Sequence, residues 1–141
     1  MIIDCHGHYT TAPEGLWAWR TNQLSGLKNS FSKPGISDQE IRDSLESAQL
    51  TIQAERGTDL TFFSPRAGSM EHHVGDEATS IAWSRECNDL IHRVCSLYPS
   101  NFAAVCQLPQ SPGVPPANCI PELERCVREL GFIGCNLNPD P

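Results

Sequence analysis

The stretch Met1-Ile2-Ile3-Asp4-Cys5-His6-Gly7-His8-Tyr9 decides the fold. Ile2 and Ile3 begin a buried strand. Side chains alternate faces along a strand, so His6 and His8 point to the same side. Two imidazoles side by side at a strand end make half of a metal site. Gly7 between them has no side chain and lets another backbone or a ligand come close. Imidazole nitrogens suit zinc, and a catalytic zinc takes three protein ligands with one position open to water or substrate. The competing view of His-Gly-His is a pair of surface histidines in a loop. Its place at the end of an apolar strand, ahead of a strand-helix alternation, favours the metal.

Outward from that strand, residues 9–36 form a long connection containing Pro13, Trp17, Trp19, Arg20, Phe31 and Pro34. Loops of this length in compact domains are often lids. This one is net basic, with Arg20, Lys28 and Lys33 against Glu14. Trp17 and Trp19 fit a hydrophobic plug or a substrate contact. Ser37-Asp38-Gln39-Glu40 is a capping box with Ile36 as its staple. It predicts one helix with Ile41, Leu45, Ala48 and Ile52 on its apolar face, capped by Gly57. The second strand, Asp59 to Phe63, stops at Ser64-Pro65-Arg66, because Pro65 cannot donate to a ladder. Arg66 stands just past the carboxyl end of that strand. Its fork suits a carboxylate, a structural ion pair or plain solvent exposure. His72 and His73 follow with Glu71 and Asp76 as polar loop residues, with a substrate role for His73.

A second helix spans 78–97 with Ile81, Leu90, Ile91, Val94 and Leu97 inward, extended by Trp83 and Cys87. Strand three is Phe102 to Leu108, closed by Pro109. After a Pro-rich loop, Pro121 opens a third helix with Leu123, Cys126, Val127 and Leu130, capped by Gly131. Strand four is Phe132 to Leu137.

Strands alternating with helices demand parallel pairing. A doubly wound open sheet fits, but the histidine pair and the polar groups at later strand ends favour a barrel. The expected fold is α/β: the N-terminal half of a (β/α)8 TIM barrel, about four parallel strands and three helices. Such a barrel typically needs ~250 residues, so 141 residues read as a fragment of a longer chain. A half barrel leaves apolar surface and two sheet edges open. A self-sufficient four-strand sheet is the alternative.

Composition agrees with a globular chain: 39% of residues are hydrophobic and 19% charged. A net charge of −7 speaks against nucleic-acid binding, so an anion must meet locally gathered positive groups. The seven cysteines form no CxxC pair. Cys87, Cys95, Cys106, Cys126 and Cys135 fall in apolar patterns, as small hydrophobes in a reducing, cytoplasmic compartment. Cys5 and Cys135 lie near strand ends. No basic and apolar leader precedes strand one, and no apolar run reaches membrane-spanning length, so no membrane partner is expected.

Ile2-Ile3-Asp4-Cys5-His6-Gly7-His8-Tyr9 resembles the metal-binding opening of the amidohydrolase superfamily. Four further stretches narrow the resemblance. They are Phe63-Ser64-Pro65-Arg66-Ala67, His73-Val74-Gly75-Asp76, Leu108-Pro109-Gln110-Ser111-Pro112, and Glu122-Leu123-Glu124-Arg125-Cys126 running through Gly131-Phe132-Ile133-Gly134-Cys135-Asn136-Leu137-Asn138-Pro139-Asp140. They resemble the branch of aminocarboxymuconate-semialdehyde decarboxylase, and within it the 4-oxalomesaconate hydratases. The resemblance implies a TIM barrel with a divalent metal, expected to be zinc, held by His6 and His8. A further histidine, an acidic residue and the proton-transfer groups are expected beyond residue 141, so this part alone is expected to be inactive. It also implies a hydro-lyase adding water across a C=C bond of a carboxylated muconate in protocatechuate and gallate breakdown. The substrate would be a small polycarboxylate. Arg66 and the basic lid would anchor it, with Ser64, His73, Asn136, Asn138 and Tyr9 as further contacts. Asn136 and Asn138 fit equally a cap on the turn before Pro139, and Tyr9 fits simple packing. A homo-oligomer stays open. The competing functions are a metal-dependent decarboxylase of the same superfamily and a non-catalytic α/β binding module.

Overall fold

The computed structural model describes residues 1–26, 33–66 and 73–138. Four strands form one parallel sheet in chain order: β1 (Ile3–Tyr9), β2 (Leu60–Pro65), β3 (Phe102–Gln107) and β4 (Gly134–Asn136). Between β1 and β2 run α1 (Glu14–Leu24), α2 (Asp38–Glu46) and α3 (Gln49–Arg56); α4 (Glu77–Leu97) joins β2 to β3. A 3₁₀ turn over Pro116–Cys119 and α5 (Ile120–Arg128) join β3 to β4.

Two expectations about the helices need correcting. The connection over 9–36 is not a structureless lid, because α1 occupies Glu14–Leu24. Its buried residues, Leu16, Trp19 and Arg20, have helical spacing, but the arginine breaks the apolar stripe. Arg20 lies over the Trp83 ring at 4.8 Å and donates to Gln23 Oε1 and to the Val74 carbonyl. Trp19 stacks on Trp83, with centroids 6.0 Å apart. Arg20 and Trp19 therefore fix α1 to α4 rather than line an anion site. Lys33 pairs with Asp89 at 3.2 Å, and Lys28 lies outside the described residues.

The single helix expected after Ser37 is two helices. Its start is as expected: Ser37 Oγ accepts from Glu40 N at 3.2 Å, and Ser37 N donates to Glu40 Oε2 at 2.8 Å. The break comes at Ser47–Ala48. There Ser44 and Ser47 turn their hydroxyls back onto the Ile41 and Asp43 carbonyls, and Thr11 claims the Ser44 carbonyl. Serine back-bonding of this kind competes with the helical ladder. Ile41 and Leu45 are buried as expected, but Ile52, beyond the break, is exposed. Gly57 ends α3 in the left-handed region at φ 65°.

The core lies on one face of the sheet. Phe63 and Phe102 pack at 4.4 Å, and Ala104, Cys106 and Tyr9 join them under Trp83, Cys87, Leu90, Ile91 and Val94 of α4. A polar bracket closes the carboxyl end of β3. Asn88 donates to the Gln107 carbonyl at 2.9 Å and accepts from Gln107 N at 2.8 Å. Its amide also meets the buried Glu122, which Arg125 grips with Nε and Nη2. That bracket fixes where Gln107 and its neighbours on the other face stand. The edge strands carry exposed apolar residues, Ile2 and Ile3 at β1 and Ile133 and Leu137 flanking β4.

Candidate metal centre

The imidazoles of His6 and His8 converge. Their Nε2 atoms are 3.0 Å apart and their rings meet edge to face at 4.6 Å. Alternation alone does not set this aim. The β1–β2 register shifts between Asp4 and Gly7, a bulge that re-aims a side chain. The Asp4 carboxylate takes the His6 backbone N–H at 3.0 Å. Gly7 is where β2 comes close: a Cβ there would stand 2.2 Å from Thr61 Cγ2 and 3.2 Å from the Phe62 carbonyl. The close approach expected at Gly7 is thus made by backbone and a threonine, on the face away from the imidazoles.

His8 is held from behind. Its Nδ1 lies 3.0 Å from the Pro65 carbonyl and 2.8 Å from Ser64 Oγ. Asn136, from β4, donates to the same Ser64 hydroxyl at 2.8 Å. Side chains from alternate strands share a layer inside a (β/α) barrel, which is how β2 and β4 meet over β3. Ser64 and Asn136 therefore stand beside the histidine pair, Ser64 bonded to His8 and Asn136 to Ser64. Gln107 pairs in register with Asn136 and was not anticipated. It is fully buried, and its amide has no hydrogen-bond partner among the described residues. A glutamine ending the apolar run Phe102-Ala103-Ala104-Val105-Cys106 was the available signal.

The remaining candidates divide. Arg66 is exposed at the end of β2 and makes no ion pair among the described residues. Asn138 exchanges its backbone N–H and carbonyl with the Gln110 side chain at 2.8 and 3.0 Å, closing the β3 and β4 ends together. His73 is exposed in the turn entering α4, and His72 lies outside the described residues. Tyr9 is a correction. It follows His8, so it points to the opposite face, where it is buried against Phe63 with its hydroxyl on Ser44 at 2.6 Å. Burial pushes that hydroxyl up to about 12. It packs and does not face the imidazoles. Cys135 likewise alternates away from Asn136, in register with the buried Cys106.

Two nitrogens on a tetrahedral zinc stand roughly 3.3 Å apart, from metal–nitrogen bonds of about 2.05 Å. The His6–His8 pair needs a few tenths of an ångström of opening to match. Among the described residues no group of three or more His, Cys, Asp or Glu is placed to hold an ion. The pair fits two positions of a metal site and leaves the others to be filled.

A sequence profile of the amidohydrolase family matches residues 3–141. The chain is 54% identical over 144 aligned residues to 2-keto-4-carboxy-3-hexenedioate hydratase of a Sphingobium species, covering 100% of this chain and 42% of that protein. The crystal structure of 4-oxalomesaconate hydratase from Rhodopseudomonas palustris superposes with a TM-score of 0.90 at 51% identity, over 100% of this chain and 42% of that one. Dihydroxybenzoic acid decarboxylase from a Polaromonas species, solved with manganese and an inhibitor, superposes at 0.64 with 22% identity, over 97% of this chain and 38% of that one. This chain therefore spans less than half the length of these proteins, and its fold is the N-terminal part of a TIM barrel.

Proposed function

This chain belongs to the amidohydrolase family, and we propose on that premise that it is the metal-bearing N-terminal part of a hydro-lyase adding water to a carboxylated muconate or its hexenedioate isomer. The carrying observation is a contrast in likeness. The chain is 54% identical along its whole length to a hydratase of that substrate class, against 22% to the decarboxylase, a likeness that speaks for fold alone.

His6 and His8 would hold a divalent ion, zinc by the preference of imidazole, through Nε2. Once bound, such an ion polarises a keto or enol oxygen or lowers the pKa of a water. Arg66 would take one substrate carboxylate in its fork, holding the double bond over the strand ends. Water then adds with hydroxyl on one carbon and hydrogen on the other, which needs a positioned general base and acid. Those groups are expected outside residues 1–141. All seven cysteines are free, which supports a reducing, cytoplasmic setting. No helix among the described residues is long and apolar enough to cross a membrane.

The test uses the full-length protein. With a carboxylated muconate it should bleach conjugated absorbance without releasing carbon dioxide. Carbon dioxide release from that acid or from a dihydroxybenzoate, without hydration, would replace the reading with decarboxylation.

A further inference from the structure

Ser64 Oγ is surrounded by four polar atoms: Gly7 O at 3.1 Å, His8 Nδ1 at 2.8 Å, Pro65 O at 3.3 Å and Asn136 Nδ2 at 2.8 Å. A hydroxyl has one hydrogen and two lone pairs, so these contacts can be assigned by elimination. Asn136 Nδ2 only donates, and the two carbonyls only accept. Pro65 O also lies 3.0 Å from His8 Nδ1. Two lone pairs at that distance repel, so Nδ1 must carry a hydrogen. That N–H is shared between Pro65 O and Ser64 Oγ. The serine then receives from Asn136 and His8 and gives its own hydrogen to Gly7 O. Every atom of the cluster has a role, and no other assignment satisfies both carbonyls.

We propose that Ser64 and Asn136 are positioning residues that hold the His8 ring where the Pro65 carbonyl fixes its Nδ1–H tautomer, rather than substrate contacts. The Nε2 lone pair of His8 is then bare and aimed at the point where the two rings converge. The proposal deepens the metal-site reading above and rests on it for the purpose of the lock. His6 is the opposite case. Among the described residues nothing engages its Nδ1, and its Nε2 meets that of His8 at 3.0 Å. The protein presets one ring and leaves the other adaptable. Partners that fix the ring of a ligating histidine in this way are worth about 10–100-fold in metal affinity.

The experiment uses the metal-free full-length protein labelled with ¹⁵N histidine, with His6→Gln and His8→Gln variants for assignment. In the unsubstituted protein the ring-nitrogen shifts of His8 should report the Nδ1–H tautomer. In Ser64→Ala, the Pro65 carbonyl should keep His8 as Nδ1–H, and the zinc dissociation constant, by competition with a chromophoric chelator, should rise about 10–100-fold as the ring loses its second partner. Ser64→Thr, which keeps the hydroxyl, should restore it, and Asn136→Leu, similar in size, should raise it by less. A His8 that is Nε2–H in the unsubstituted protein overturns the proposal without any variant having to fold. So does a Ser64→Ala protein that keeps its zinc affinity. A protein that hydrates no muconate but shows His8 as Nδ1–H and weaker zinc binding in Ser64→Ala fails the functional reading alone.

Discussion

Phe63 and Ser64 are neighbours on β2 and live by opposite rules. Phe63 packs on Phe102 at 4.4 Å beneath α4, among side chains that exclude water. Ser64, on the other face, meets four polar atoms and ties β1, β2 and β4 together by hydrogen bonds. The same alternation divides Tyr9 from His8 and Cys135 from Asn136. One face carries the apolar burial that stabilises the fold, at about 1.5–3 kcal/mol for each large side chain fully buried. The other carries the polar groups on which the proposed metal site rests. The division should be visible as a separation of stability from chemistry.

The strongest blow to the polar face is His6→Ala with His8→Ala. Losing both proposed ligands should abolish bound metal and lower turnover of the full-length protein by roughly three orders of magnitude or more, the several kcal/mol a Lewis acid contributes. The metal-free melting temperature should barely move. Metal content by elemental analysis and hydration by absorbance check this. A double variant that keeps its metal removes the chemistry from this face altogether.

The matching blow to the apolar face is Trp83→Ala. Trp83 is fully buried and carries Trp19 and Arg20 of α1. Its loss should cost about 3–5 kcal/mol in denaturant unfolding, while turnover per folded molecule stays as it was. A fall in turnover at full folding would show that the two faces are coupled through α1.

Much of this was legible in the strand pattern, because alternation and punctuation are local. The four strands, the capping box at Ser37 and the Gly57 cap follow from neighbouring residues, while the aim of His6 and His8 also needs the register shift against β2. What escaped depended on partners distant in sequence. Arg20 reads as a free cation until Trp83 and the Val74 carbonyl are placed around it. Ser64 and Asn136 look like substrate contacts until one is seen donating to the other across β3. Gln107 looks like the end of a core strand until its amide, without a hydrogen-bond partner among the described residues, is found on the polar face. Tyr9 as a substrate contact fails on the same alternation, which places it away from His8, and its other reading, packing, is what the structure shows.

Gly7 sits where the two faces touch, and a methyl there sharpens the comparison. The added Cβ would meet Thr61 Cγ2 at 2.2 Å, and Thr61 is pinned by Gln53 Nε2 on its hydroxyl at 2.7 Å. Gly7→Ala should therefore cost about 1–3 kcal/mol as an overpacked contact. Thr61→Ser, which removes the clashing methyl and keeps the hydroxyl, should recover part of that cost in the double variant. Strict additivity of the two changes would mean that β1 yields elsewhere and the contact is not the constraint.

The smallest effect concerns Tyr9, whose hydroxyl is the one polar group that β1 sends into the apolar face at its carboxyl end. Ser44 spends its own hydrogen on the Ile41 carbonyl at 2.8 Å, so Tyr9 is the donor in their 2.6 Å contact and must stay neutral to make it. Burial raises its pKa from 10.0 in the free side chain to about 12. A folded-state pKa raised in this way adds stability that is fully present below pH 10 and is lost as pH climbs through about 12. Tyr9→Phe removes both the hydrogen bond and this alkaline liability. At neutral pH it should cost about 1 kcal/mol, and the gap to the unsubstituted protein should narrow as pH rises through that window. Melting both proteins across it cancels the other alkaline titrations they share. A gap that stays constant would mean the phenol reaches solvent, and with it that the apolar face is open at the one point where it backs onto His8.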